Sequence, residues 1–388
     1  MKNILYLSFY FEPDLCAGSF RNTPLAKELA HQLNGKATID LITTLPNRYS
    51  SFQAAAPEYE ELGNLKVHRV KIPAHKSGFV DQIKSFKAFF SESKKLVKGK
   101  KYDLVFASSS RLFTAYLGYT IAKKQDIPLY LDIRDIFTDT LEDVLQNNAV
   151  RGLSLPVLRN IEKKVFSSAK HINLISEGFK GYFSKYNTPN YSSYPNGIDP
   201  EFLKLAPSVN TLKETKTIVY AGNIGEGQGL HKIIPQAAAK LGNSYKFIVI
   251  GDGGAKQKLV DAIAAEKAQN VELRNPMSRA ELLKEYSEAD FLFLHLNDYD
   301  AFKKVLPSKI FELAAYDKPV IAGVAGYANQ FIDKFVSNNI LFDPCDVESF
   351  VSQLNSYQYK TEQRDEFIEA FKRETINKKL SESIISYL

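Results

Sequence analysis

TIVYAGNIGEGQGL, residues 217–230, runs from a short apolar stretch through four glycines into a second apolar segment. The first six residues read as a strand and the last as the opening of a helix. A glycine-rich backbone at that junction can cradle a diphosphate at the helix N-terminus, or can simply make a long turn. IGDGG (250–254) repeats the arrangement at the end of the next apolar run, YKFIVIG (245–251). Two glycine-bearing strand ends side by side in one sheet say more than either alone. They single out Gly222, Asn223 and Gly251.

Outward from this pair, VELRN (271–275), DFLFLHL (290–296), KPVIAG (318–323) and ILFDP (340–344) read as further strands with helices between them. Upstream the same alternation runs through strands at 3–8, 37–43, 66–70, 103–107, 128–133 and 171–174, with amphipathic segments at 21–33, 112–124 and 155–168. YPNGIDPEF (194–202) separates the two runs with the Pro, Asn, Gly and Asp of a turn or linker. The expected class is therefore α/β, with two open, mostly parallel sheets covered on both faces. Ligands of such sheets bind beyond the carboxyl ends of the strands, and two such edges facing each other would leave a cleft. The expected domains are 1–195 and 196–370, with a helical tail at 371–388 packing back across the boundary.

A length of 388 residues suits two domains, and a net charge of +6 does not by itself call for nucleic acid. No segment supplies the ~18–20 apolar residues of a membrane span, and the apolar run before Glu12-Pro13-Asp14 is too short for a signal peptide. Cys16 and Cys345 offer neither a disulfide framework nor metal spacing, which fits a reducing cytoplasm. The six histidines show no pairwise ligand spacing. Asp298-Tyr299-Asp300 imitates an Asp-x-Asp triplet, but a single such triplet is a weak signal, and no metal site is expected.

The remaining strand ends carry the candidate chemistry. FYFEPDLCAGSFRN (9–22) is not G-x-G-x-x-G, which argues against a nicotinamide dinucleotide. Its Gly18-Ser19 either admits a phosphate or sugar to free amides or is a turn glycine with a serine cap. YLDIRDIFTD (130–139) gathers Asp132, Arg134 and Asp135. A carboxylate there can hold a sugar hydroxyl or take its proton, and an arginine can steady phosphate charge; the alternative is a structural Arg–Asp pair. In VLPSKIFELAAYDKPVIAG (305–323), Ser308 can cap a helix or Pro307 can sit in its first turn, and Asp317 falls where the helix should stop in a left-handed conformation. Glu312 is then either a first-turn carboxylate favoured by the helix dipole or an acceptor for both hydroxyls of a ribose, with Lys309 meeting phosphate. His295 ends a strand and reads first as a satisfied structural histidine. Residues 75–103 interleave Lys76, Lys84, Lys87, Lys94, Lys95, Lys98, Lys100 and Lys101 with four phenylalanines. Such a helix either lies on an anionic membrane or turns its rings to the core and its lysines to water.

Taken in order, the glycine-bearing first loop, PNGID, GNIGEGQGL, GDGG and PSKIFELAAYDKPVIAG resemble the family-four glycosyltransferases of GT-B fold. The likeness covers most of the chain, is strongest over 194–326, and is nearest to bacterial transferases that add N-acetylated deoxyhexosamines (the fucosamine type) in O-antigen or capsule synthesis. It implies two Rossmann-like domains facing a central cleft, acceptor on the first and nucleotide sugar, UDP-linked, on the second. Reaction would be retaining and independent of metal, and would need no cofactor, the nucleotide sugar being a substrate. The acceptor would be lipid-linked or a saccharide, the protein cytoplasmic and peripheral on the inner face of the membrane, with residues 76–101 against the anionic surface and no nucleic acid as partner. By the same likeness Arg134 and Asp135 are catalytic, and Gly18, Ser19, Gly222, Asn223, Gly251, Arg274, Ser308, Lys309 and Glu312 bind substrate. The sequence departs from the family twice. Lys304 stands where the first of two glutamates is usual, and Asn223 and Gln228 stand near the usual Arg and Lys for the diphosphate, leaving Lys303, Lys304 or Lys309 to supply that charge. These departures keep open a non-catalytic sugar-binding scaffold or a nucleotide-sugar epimerase.

Overall fold

The computed structural model describes the chain except residue 15 and segments 48–54, 74–78, 110–111, 140–147 and 204–213, and gives no side-chain description for 79–83, 148–151 and 153. The chain divides into two units, Met1–Asn196 with Glu374–Leu388, and Gly197–Arg373.

The first unit is built on an eight-stranded sheet in the order β3-β4-β2-β1-β5-β6-β7-β8. Its strands are β1 Lys2–Ser8, β2 Ala37–Thr44, β3 Tyr59–Leu62, β4 Leu65–Val70, β5 Leu104–Ser109, β6 Leu129–Ile133, β7 His171–Leu174 and β8 Asn190–Ser192. All pairs are parallel except β3–β4. The central strands read as continuous apolar runs because helices cover both faces; every residue of β5 and β6 is buried. Two edge strands, β3 and β8, are not expected from the alternating pattern. YEEL has no apolar alternation, and its pairing comes from the two-residue turn Gly63-Asn64, which sets Leu62 opposite Leu65 with Gly63 at a φ of 64°.

The second unit carries a six-stranded, all-parallel sheet in the order β11-β10-β9-β12-β13-β14. Its strands are β9 Lys216–Asn223, β10 Tyr245–Asp252, β11 Val271–Arg274, β12 Phe291–His295, β13 Val320–Gly323 and β14 Asn339–Phe342. Alternate residues feed opposite cores: Ile218, Tyr220, Phe291 and Phe293 go to one, Val219, Ala221, Leu292 and Leu294 to the other.

The two crossings of the chain between units lie side by side. Gly197 touches the returning strand so closely that a Cβ would sit 2.5 Å from the Arg373 Cα. The Ile198 N–H donates to the Phe371 carbonyl at 2.8 Å and the Arg373 N–H to the Ile198 carbonyl at 3.0 Å. This bridge breaks the C-terminal helical region into Asp365–Phe371 and Arg373–Ile385. In the first unit, Leu380 and Ile384 of the last helix join the core. Tyr387 OH lies 3.0 Å from His171 Nδ1, and Tyr130 stacks on the His171 ring with centroids 4.3 Å apart.

Helix Ala17–Gln32 begins earlier than its apolar pattern indicates, so Gly18 and Ser19 lie in its buried first turn and not in a loop before it. Cys16, not serine, is at the cap position, and no side chain caps the helix. Gly18 is needed for packing: a Cβ there would come 2.9 Å from Tyr10 and 3.1 Å from an Arg134 Nη.

Candidate functional site

In the second sheet β9 and β12 are neighbours whose chains leave in opposite directions, and crevices at such switch points are where α/β sheets hold ligands. The loop that follows β9 is tied down from β12. His295 Nδ1 donates to the Gln228 carbonyl at 2.6 Å, and its Nε2 accepts the Cys345 N–H at 3.0 Å. Asn297 donates its backbone N–H to Gly227 O at 2.9 Å and its amide to Glu226 O at 2.8 Å, while Lys232 reaches its Oδ1 at 2.9 Å. Asn223 and Gln228, at the places usual for Arg and Lys, bond to each other at 2.7 Å. Gly251 approaches β9 so closely that a Cβ would lie 1.9 Å from the Gly222 carbonyl oxygen, so main-chain packing alone demands glycine there.

Both nitrogens of His295 are committed to the neutral ring, and burial pushes its pKa down to about 4. Burial does the same to His171, also to about 4. Both rings are therefore protonated more readily in the unfolded chain, near the ordinary value of about 6.5. Stability is full above that pH and falls as pH drops toward 4, by roughly 3 kcal/mol for His295 alone. Urea melts between pH 7.5 and 4.5 should show this slope, and His171→Gln should flatten it; a flat wild-type profile would overturn the assignment.

Beside Gly222 stands a buried charged group. Lys309 places its Cε 3.7 Å from where a Gly222 Cβ would be, and its Nζ donates to Glu312 Oε2 at 3.0 Å and lies 3.4 Å from Tyr286 OH. Burial opposes the lysine's charge, but the Tyr286 hydroxyl and the Glu312 carboxylate outweigh it and hold the ammonium above the usual range. Tyr220 lies below, its hydroxyl donating to Asn223 O at 2.6 Å. Helix Lys309–Ala314 is only six residues long. Ser308 has helical backbone angles and makes no capping bond, so the expected serine cap is absent; Pro307 and Ser308 instead open the turn through their carbonyls, which accept from Ile310 and Phe311. Asp317 is buried, is not left-handed, and follows the helix end by three residues. Of the three candidate lysines, Lys309 is the one at the strand end. Lys303 pairs with Asp300 at 2.7 Å on the surface, and Lys304 is half-buried at the end of the turn Asp300–Lys304. Arg274, on the edge strand β11, is held by Glu272 at 2.6 Å and Glu285 at 2.7 Å.

In the first unit, Asp132 at the end of β6 is fully buried and saturated. Arg21 grips it with two bonds of 2.8 and 2.7 Å, Ser108 adds one at 3.0 Å and Asn173 one at 2.8 Å. Burial alone would raise its pKa, but Arg21 overrides that and keeps the carboxyl ionised. The structural Arg–Asp pair is thus Arg21–Asp132, and neither Arg134 nor Asp135 belongs to it. Arg134 donates its backbone N–H to Ser109 O at 3.0 Å and packs its guanidinium on Gly18, with Nε buried and without a hydrogen-bond partner among the described residues. Burial and the like charge of Arg21 pull its pKa below the usual arginine range. Asp135 is half-buried just beyond. Ser110 and Arg111 lie outside the described residues.

The lysine-rich helix is Phe79–Leu96. Phe86 and Phe89 are buried, stacking with Phe9 and Phe113, and Phe90 stacks on Tyr116. Lys84, Lys87, Lys94, Lys95, Lys98, Lys100 and Lys101 are exposed, with Lys100 bonded to Asp40 at 2.8 Å. Lys76 lies outside the described residues, as does the Phe79 side chain. The described rings therefore serve the core and are not turned outward. Among the described residues no helix is long and apolar enough to cross a membrane, and no cluster of three His, Cys, Asp or Glu could hold a metal ion.

Residues 204–374 match the family described as "Glycosyl transferases group 1". WcaI of Escherichia coli K12, described as a colanic acid biosynthesis glycosyl transferase, is 27% identical over 173 residues, an overlap taking in 42% of this chain and 41% of WcaI. Among solved structures, sucrose-phosphate synthase from Thermosynechococcus elongatus superposes with a TM-score of 0.77 at 14% identity, over 100% of this chain and 99% of the other. HepE from Anabaena, solved with UDP and glucose, gives 0.68 at 17% identity over 99% of each chain. The two parallel α/β sheets are those of the GT-B fold.

Proposed function

We propose that this chain is a glycosyltransferase that takes a sugar from a nucleoside-diphosphate donor bound at the carboxyl edge of its second sheet. The observation that carries the reading is the buried Lys309–Glu312 pair beside Gly222, at the switch point of a sheet inside the segment that matches group 1 transferases. Glu312 accepts hydrogen bonds from the ribose hydroxyls, and Lys309 neutralises the diphosphate that the Asn223–Gln228 amide pair cannot. Ser308, Asn223, Gly251 and Arg274 complete the donor contacts.

The acceptor is assigned to the first unit, where Gly18, Ser19, Arg134 and Asp135 lie together after β1 and β6. Transfer breaks the anomeric C–O bond to the diphosphate and makes one to the acceptor hydroxyl. Its proton goes to the departing diphosphate or to Asp135, and Arg134 steadies the developing charge. The finer reading is a retaining, metal-independent transfer from a UDP-sugar to a lipid-linked or saccharide acceptor in bacterial surface-polysaccharide synthesis, with an N-acetylated deoxyhexosamine as the sugar. WcaI's part in colanic acid synthesis supports the polysaccharide role, and UDP in HepE supports the nucleotide.

The test is incubation with UDP-sugars with and without lipid-linked saccharide. UDP release that needs acceptor is the expected result. Sugar isomerisation without acceptor would mean an epimerase. Neither product would mean the binding scaffold that the Asn223–Gln228 pair and Lys304 otherwise suggest.

The exposed lysine face gives the membrane proposal its remaining form, electrostatic attraction without ring insertion. Flotation with anionic vesicles should capture the protein at low salt and release it at about 0.5 M salt, where screening is short-ranged. Capture that survives high salt would point to insertion instead.

A further inference from the structure

Helix Arg279–Glu288 is pinned at its start by a reciprocal cap: Glu281 N–H donates to Ser278 Oγ at 3.3 Å, and Ser278 N–H to Glu281 Oε2 at 2.8 Å. Its first residue, Arg279, and Tyr286 are seven apart and so share one face. Tyr286 contacts the Lys309 ammonium. Arg279 serves the other half of the pair.

Its guanidinium is fixed from several sides. Asp199 Oδ2 accepts from Nη2 at 2.7 Å, Glu201 lies 2.9 Å from Nε, and the Phe202 ring lies under it at 4.7 Å. Asp199 is itself held by Arg373. Of the carboxylates around Arg279, Glu312 acts on it most strongly, ahead of Asp199 and Glu201. Glu312 therefore has a braced cation on one side, Arg279, and Lys309 on the other. Neither the turn composition of PNGID nor the donor motif assigns Arg279 a role.

We propose that Arg279 is a positioning residue that orients the Glu312 carboxylate for the ribose of the donor, while Asp199 and Glu201 hold Arg279 in place. This rests on the donor reading above and deepens it. A carboxylate oriented before binding loses no further freedom on meeting the two hydroxyls. Without Arg279, Glu312 loses that restraint, and Asp199 and Glu201 are left uncompensated near an anionic ligand.

The test is a cycle of UDP binding by calorimetry on the full chain: wild type, Arg279→Met, Glu312→Gln and the double variant. Arg279→Met should weaken UDP about tenfold in the wild-type background and less than about twofold in the Glu312→Gln background, the signature of action through Glu312. Arg279→Lys keeps the charge and should recover part of the loss. With saturating donor, kcat should stay within about threefold of wild type. Equal weakening of UDP in both backgrounds would show a merely structural role and overturn the proposal, as would wild-type affinity in Arg279→Met. Should Arg279→Met not fold, Arg279→Gln is judged by the same criterion. Wild-type UDP affinity in Glu312→Gln would bring down the donor reading itself, and this inference with it; loss there without loss in Arg279→Met brings down the inference alone.

Discussion

Replacing Glu312 by glutamine should raise the KM for the nucleotide-sugar donor roughly ten- to hundredfold, the range expected when a charged partner of two hydrogen bonds is lost. The amide is almost the same size, so the short helix Lys309–Ala314 and the buried Ile310, Phe311, Leu313 and Ala314 around it keep their packing. What changes is that one oxygen and the negative charge are gone. Ribose hydroxyls present the same donors before and after transfer, so the loss falls on donor and transition state alike, and kcat should move little. Lys309→Ala supplies the contrast. Its ammonium meets phosphate, so this variant should lose affinity for UDP and retain it for uridine, whereas Glu312→Gln should lose both. Calorimetry with the two ligands separates the roles. Equal affinity of Glu312→Gln and wild type for uridine would sink the ribose assignment.

The contrast between these residues and their supports shows where sequence reasoning stopped. The central strands were legible because a parallel strand covered on both faces must be continuously apolar, as LVFASS and LYLDI are. Lys309 and Glu312 were legible because they sit one turn apart at the start of a helix behind a strand end. Arg279 was not. At the head of a helix it looks like an ordinary polar-face residue, and its partner Asp199 is 80 positions away. Gly251 was noticed for the wrong reason: it reads as a phosphate cradle, but the Gly222 carbonyl already forbids any side chain there. Gly18-Ser19 was misplaced because helix Ala17–Gln32 opens with small residues that carry no apolar period. Composition shows which residues permit a close approach; only the folded chain shows what approaches.

Arg21 is the sharpest case of the same limit, and it carries the largest expected stability effect. In the sequence it is one cation in a helix; in the structure it is fully buried, 111 residues from the carboxylate it neutralises, and donates also to the carbonyls of Tyr194 and Pro195 at 3.0 Å each. It thus fastens the last residues before the crossing to the end of β6. Arg21→Met would leave Asp132 charged and buried with only Ser108 and Asn173 as donors, and would free two carbonyls. Breaking a buried pair from one side costs about 3–5 kcal/mol, because the remaining charge loses its partner without regaining water. For a unit of this size that is a fall in melting temperature of about 10 °C. Asp132→Asn should cost about as much, since it strands the guanidinium. The double variant Arg21→Met/Asp132→Leu should melt closer to wild type than either single change, since it removes both desolvated charges together. Thermal melts of the four proteins decide it. Single variants that melt within about 2 °C of wild type would mean the pair contributes little and the linker is held by the neutral bonds around it.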